Sequence, residues 1–217
     1  MANTKQIHKL RSSITLSDLQ RACIIGTVLG DGSLIPTFSK NNLRLQIDQC
    51  EKQREYVLWK YAILSSLVLT PPAFRQQTKS WRFRTISHPE LTFIGDLFYE
   101  GRRKKVPENI ESVCTDPISL AVWFMDDGAK NRNDGLILNT QCFTKQETER
   151  LKDCLKRNFD LSHVSLHKDK NGWRLYIQKE STCKMMNLIE PFIIPCMKYK
   201  MISPVETTRR LPEIVLG

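Results

Sequence analysis

The chain has 217 residues, a length for one large or two small domains, and 41% hydrophobic with 26% charged side chains excludes a disordered or fibrous protein. No apolar run approaches the roughly 18 residues of a membrane span, so no membrane partner is expected. Thirty-three basic against 23 acidic side chains leave +10, a surplus that favours a polyanionic partner through counterion release. Residues 1–16 read as an N-terminal extension. They are basic, with no acid before Asp18, a pattern shared by ordinary termini and by short targeting segments. The expected location is therefore intracellular, with a mitochondrion or chloroplast open.

From there the elements follow in order. Ser17 and Gln20 form a capping box before an apolar helix over 19–29, which stops at a glycine, Gly32. Residues 43–48 alternate strictly, so a strand turns one apolar face inward and presents Arg44, Gln46 and Asp48 on the other. A helix over 52–69 is stopped by Pro71-Pro72, short strands follow near 73–77 and 81–86, and another helix runs from His88-Pro89 to about residue 99. No acid lies between Glu55 and Glu90, only Lys60, Arg75, Lys79, Arg82 and Arg84. Residues 1–110 carry net +8 against +2 for 111–217, which assigns more of a phosphate grip to the first half. Asp116-Pro117 supplies the cap and first-turn proline of a helix over 118–125, ending at Gly128. Strands near 136–141, 164–167 and 173–178, with helices near 146–158 and 181–188, complete the chain. Trp59, Trp81, Trp123 and Trp173 read as core. Seven cysteines without any C-x-x-C pair read as reduced, mostly buried thiols, and zinc is not expected.

The two halves carry the same punctuation in the same order. Leu29-Gly30-Asp31-Gly32 answers Met125-Asp126-Asp127-Gly128 at an offset of 96; Gln49-Cys50 answers Gln141-Cys142, and Trp81-Arg82-Phe83 answers Trp173-Arg174-Leu175, each at 92. Lys105 and Lys200 stand 95 apart. The chain is therefore expected to be α+β, with two pseudo-symmetric α-β-β-α-β-β-α repeats over 17–110 and 111–217, the second including a C-terminal tail.

Asp31 and Asp127 fall at helix C-termini, where the dipole already presents negative charge and disfavours an anion by about 0.3–1 kcal/mol. A duplication that brings both to one axis adds mutual repulsion. A divalent cation offsets both, and carboxylates without histidine or cysteine suit a hard ion, Mg2+ foremost.

The segments Ile24-Ile25-Gly26-Thr27-Val28-Leu29-Gly30-Asp31-Gly32 and Leu120-Ala121-Val122-Trp123-Phe124-Met125-Asp126-Asp127-Gly128 resemble the paired signature of LAGLIDADG homing endonucleases of the single-chain, two-motif, intron-encoded type. Val122 departs from it, standing where the signature has glycine. The resemblance implies a monomer whose antiparallel sheets form a saddle over double-stranded DNA. Asp31 and Asp127 then bind Mg2+, for which Mn2+ substitutes, and both strands of a long, asymmetric target are cut for intron homing. It also implies a basic residue beside each acid, matched by Lys105 and Lys200, with Lys104 and Lys198 as adjacent candidates, and water-ordering polar strand residues, matched by Gln46 and by Gln141 or Asn139. Outward strand residues suited to DNA are Arg44, Gln46, Arg75, Gln76, Arg82 and Arg84 in the first half, and Asn139, Gln141, His167, Arg174, Tyr176 and Gln178 in the second. The rival readings are an RNA-binding maturase that assists splicing of intron RNA, and a DNA-binding regulator without catalysis.

Overall fold

The computed structural model describes residues 13–37, 42–131 and 134–202, so most of the expected extension, and the tail from residue 203, lie outside the described residues. The first motif segment forms α1 (Asp18–Leu29). Its capping box is complete: Ser17 Oγ accepts the Gln20 N–H and the Gln20 side chain accepts the Ser17 N–H, each at 3.2 Å. Every residue from Ala22 to Leu29 is buried. A helix apolar all round belongs inside a core rather than on a surface.

Two antiparallel four-stranded sheets of matching layout complete the frame. The first holds β1 (Ser33–Pro36), β2 (Leu43–Cys50), β3 (Ala73–Arg75) and β4 (Ser80–Arg84) in the order β1-β2-β4-β3. It is backed by α2 (Arg54–Ile63) and α3 (Pro89–Phe98), and a small hairpin of β5 (Tyr99–Glu100) and β6 (Arg103–Lys104) follows. After the short α4 (Ile110–Val113) the second motif helix, α5 (Pro117–Asp127), begins with the Asp116 carboxylate accepting the Ile118 N–H at 2.8 Å. The second sheet holds β7 (Gly128–Lys130), β8 (Leu136–Leu138), β9 (Val164–Asp169) and β10 (Gly172–Ile177) in the order β7-β8-β10-β9, with α6 (Lys145–Phe159) and α7 (Lys179–Ile189) behind it.

The two motif helices cross at the seam between the repeats. A carbon added at Gly26 would lie 2.4 Å from the Ser119 carbonyl oxygen and 2.8 Å from Val122 Cβ. Val122 therefore fits where the signature has glycine because Gly26 opposite has no side chain. One valine fills the gap. Ser119 Oγ donates to the Ala22 carbonyl across the crossing at 2.9 Å.

Several boundaries differ from those expected. The helix foreseen over 52–69 stops at Ile63, where Ser65 Oγ donates back to the Ala62 carbonyl and 3-10 turns take over on both sides. The helix foreseen to residue 99 ends at Phe98 because Tyr99 enters the hairpin with Lys104. The first motif helix is capped at Gly30, two residues before the expected Gly32, and neither cap glycine uses left-handed backbone: Gly30 has φ −92° and Gly128 φ −76°. Close approach selects glycine instead, since a Cβ at Gly128 would strike Phe124 at 2.2 Å. Trp123 is fully buried and Trp59 and Trp81 pack on the core, but Trp173 is half-buried, with Lys145 and Lys168 ammonium groups 5.4 and 6.0 Å from its ring centre. All seven cysteines are free. Cys23, Cys114 and Cys154 are buried, while Cys50, Cys142 and Cys183 are exposed, so the thiols are not mostly buried.

Gly26→Ala is expected to force the motif helices apart and destabilise the fold by about 1–3 kcal/mol, read as a lower urea midpoint with unchanged slope.

Candidate active site and nucleic-acid face

The crossing places the C-terminal ends of α1 and α5 side by side, and with them Asp31 and Asp127. The Asp31 N–H donates to Asp126 Oδ2 at 3.3 Å, linking the two repeats through residues 95 apart. Asp127 is held from its own half: its carbonyl accepts the Asn139 N–H at 3.1 Å and Asn139 Nδ2 at 2.8 Å. The Asp127 carboxyl is pushed up to about 7, first by burial and then by the charges of Asp31 and Asp126, with Lys104 and Lys200 opposing. Concentrated, poorly solvated negative charge of this kind is what a divalent cation relieves.

Each helix end also receives a lysine. Lys104 Nζ donates to the Gly30 carbonyl at 2.6 Å, and Lys200 Nζ donates to the Met125 and Asp126 carbonyls at 2.6 and 2.8 Å. These are the carbonyls a helix leaves without partners at its C-terminus, and a cation there complements the dipole. Burial lowers the pKa of both lysines, while Asp31, Asp126 and Asp127 pull it back up. Lys104, and not the expected Lys105, makes this contact; the Lys105 N–H donates to the Phe98 carbonyl. Lys104 and Lys200 are 96 apart, the offset of the two acids, and that arithmetic distinguishes Lys104 in the sequence. Lys198 is exposed.

Gln46 is not the polar strand residue at the acids. It sits on the outer side of β2, where its Oε1 accepts Arg84 Nε at 2.7 Å. Gln49, buried on the opposite face, instead donates to Asp31 Oδ2 at 3.1 Å and to Asp126 Oδ1 at 3.2 Å. The match of Gln49-Cys50 to Gln141-Cys142 was the available signal. Gln141 lies past the end of β8, 3.5 Å from Asn139 Oδ1 and 3.4 Å from Asp169 Oδ2. Asp126 itself was missed, as was its partner Lys60, whose Nζ is 2.9 Å from both Asp126 carboxylate oxygens with both side chains inaccessible to solvent. A lysine inside a helix gives no signal of burial in one sequence.

Among the described residues, no group of three or more His, Cys, Asp or Glu side chains is arranged to hold a metal. Asp31 and Asp127 fit an ion that takes one or two carboxylates and completes its shell with water and substrate phosphate, which is the habit of Mg2+. Asp126 is withdrawn from that set by Lys60.

The less buried faces of the sheets carry most of the other expected residues. In the first, Arg44, Gln46, Arg82 and Arg84 share a face, with Gln46 opposite Arg84 and Asp48 opposite Arg82 in the register. Arg82 is ion-paired to Asp48. Burial, followed by the charges of Arg44, Arg82 and Arg75, lowers the pKa of Arg84, a cationic surface in want of counter-charge. Gln76 falls outside β3, in the exposed turn that leads to β4. In the second sheet His167 is opposite Arg174, and its ring is 4.8 Å from that of Tyr176. Arg174 pairs with Asp169 at 2.7 Å, and Gln178, just beyond β10, donates to Ser165 Oγ at 3.4 Å.

Two crossed helices ending in acids, each leading into an open antiparallel sheet, define a duplicated scaffold with one shared acidic centre. The chain belongs to the LAGLIDADG DNA endonuclease family, whose sequence model matches residues 21–185. It is 32% identical over 205 residues to a probable intron-encoded endonuclease 1 of Wickerhamomyces canadensis, covering 88% of this chain and 87% of that protein. The structure of the homing endonuclease I-WcaI bound to its DNA recognition sequence superposes with a TM-score of 0.83 at 30% identity, covering 93% of this chain and 94% of that one. The cytochrome b mRNA maturase bI2 of Saccharomyces cerevisiae is 24% identical over 219 residues, 93% of this chain and 51% of that protein.

A carboxyl with a folded pKa above its unfolded value of about 3.9 binds more proton when folded, so the stability it confers falls as pH rises between the two values. The metal-free protein is expected to lose stability through Asp127 between about pH 4 and about 7. Asp127→Asn flattens that part of the stability profile, measured by urea unfolding across the range.

Proposed function

We propose that the chain is a site-specific endonuclease that makes a double-strand break in a long, asymmetric DNA target, with Asp31 and Asp127 holding Mg2+ at the seam. The observation that carries this reading is the convergence of the two acids at abutting helix ends, with a lysine at each. The repeats, over 17–110 and 111–217, each supply half of a saddle whose basic strand faces lie against the duplex. A single chain containing both halves works as a monomer. Because those faces differ at nearly every position, from Arg44, Gln46, Arg82 and Arg84 to His167, Arg174, Tyr176 and Gln178, the target is not a palindrome.

The chemistry is phosphodiester hydrolysis without a protein nucleophile. Bound Mg2+, or Mn2+ in its place, supplies Lewis acidity at the scissile phosphate and at the leaving 3′ oxygen. Asp31 and Asp127 position that charge. Lys104 and Lys200, their ammonium groups anchored on the helix-end carbonyls, face the negative charge that develops on the phosphate and hold the attacking water. Gln49 and Asn139 fix the acids from the two sheets. Where the target has guanine or adenine, the arginines and the glutamine of the first sheet offer paired hydrogen bonds in the major groove.

The maturase relative supports a second reading, in which the same basic faces bind intron RNA. Linearisation of a target-bearing plasmid in Mg2+, stopped by EDTA, separates the two, since RNA binding alone cuts no plasmid. Asp31→Asn and Asp127→Asn are each expected to abolish the double-strand break while leaving DNA binding in place. Lys104→Ala is expected to slow cleavage about 10²-fold, with little effect from Lys105→Ala, measured as single-turnover rates on bound DNA.

A further inference from the structure

The Lys60–Asp126 pair is a buried pair of charges that the proposed chemistry does not use. Lys60 comes from α2 of the first repeat and Asp126 from the last turn of α5 in the second, and both are shielded from water. Either charge alone would be strongly disfavoured there, so each requires the other. Lys60 occupies both Asp126 oxygens, which leaves two of the three seam carboxylates free to meet a cation.

Among the two motif acids, the hydrogen bonds of the Asp126 side chain reach only Asp31. Asp126 Oδ2 accepts the Asp31 N–H, and Gln49 Nε2 joins Asp126 Oδ1 to Asp31 Oδ2. Asp126 thus fixes both the backbone and the carboxylate of the acid in the other repeat. Gly30 makes room for it: a Cβ there would lie 2.5 Å from Asp126 Cβ and 2.6 Å from its Oδ2. The twofold counterpart of Asp126 is Gly30 itself, which has no side chain to offer Asp127. Asp127 is held by Asn139 instead, through its carbonyl oxygen.

We infer that Lys60 and Asp126 are positioning residues whose side-chain hydrogen bonds hold Asp31 and not Asp127, so that the two strand cuts of the proposed endonuclease are set by different supports. This rests on the endonuclease reading. Loss of the pair misplaces Asp31 while Asp127 keeps its own holder, and the reaction becomes unbalanced between strands. A purely structural role would slow both cuts together.

The test uses DNA that the wild-type protein itself cleaves, selected from a randomised library, with each strand end-labelled in turn. The main variant is Lys60→Met with Asp126→Asn, a neutral pair of similar volume chosen to keep the fold. Gln49→Leu, which removes no charge, is the second. Both variants are expected to change the ratio of the two strand-cutting rates by about tenfold or more, in favour of the same strand, and to accumulate nicked plasmid. Equal slowing of both strands, an unchanged ratio, or opposite strand preferences in the two variants overturns the proposal while the endonuclease reading stands. Should the double variant not fold, the ratio for Gln49→Leu decides by itself. A wild-type protein that cleaves no member of the library overturns the endonuclease reading, and this proposal with it.

Discussion

The close crossing of α1 and α5 is the constraint on which the rest depends. It brings two helix C-termini together, each with unpartnered carbonyls and a negative dipole end, and sets Asp31, Asp126 and Asp127 among them. Left alone, that concentration of negative charge would push the halves apart. Three lysines answer it from separate elements. Lys104 and Lys200 bind the helix-end carbonyls, and Lys60 neutralises Asp126 from within the core. What remains is a partial excess of negative charge centred on Asp31 and Asp127, open to a cation. The seam thereby serves as both the packing centre and the electrostatic centre of the molecule.

Near-symmetry at the seam conceals two different supports. Gly26 opposes Val122, and Gly30 opposes Asp126, so in each case one repeat supplies the bulk and the other supplies the space. A homodimer cannot divide the work in this way, because both copies carry the same residue at each position. Fusion of the halves into one chain lets each compensate for the other. The same freedom extends to the strand faces, where an arginine-rich sheet with net charge concentrated in the first half is set beside one that mixes histidine, tyrosine and a single paired arginine.

Much of the architecture was legible because its signals are local or repeated. The capping box at Ser17, the Asp116-Pro117 start and the alternation over 43–48 each depend on neighbours within a turn or a strand. The duplication was visible because the same punctuation recurs at a near-constant offset. Boundaries were less legible where a competing local bond intervened, as at Ser65, or where the chain turned early to serve a distant group, as at Asn139. The choice of Gln46 over Gln49 has a physical origin too. The resemblance pointed to Gln46, which the alternation over 43–48 sets on the polar outward face, yet Gln49 works from the buried face because the acids lie inside.

The sequence by itself determined the α+β class, the two repeats, the positions of the two motif acids and a basic surplus suited to nucleic acid. These follow from composition, periodicity and repetition, which need no knowledge of distant contacts. Only the tertiary structure decided that Lys104 rather than Lys105 meets the helix end, that Gln49 bridges the acids, and that Lys60 is a buried counter-ion for Asp126. Each of those depends on where a side chain lands relative to a partner 18 to 77 residues away, and such distances are set by helix crossing and sheet packing rather than by anything local in the chain.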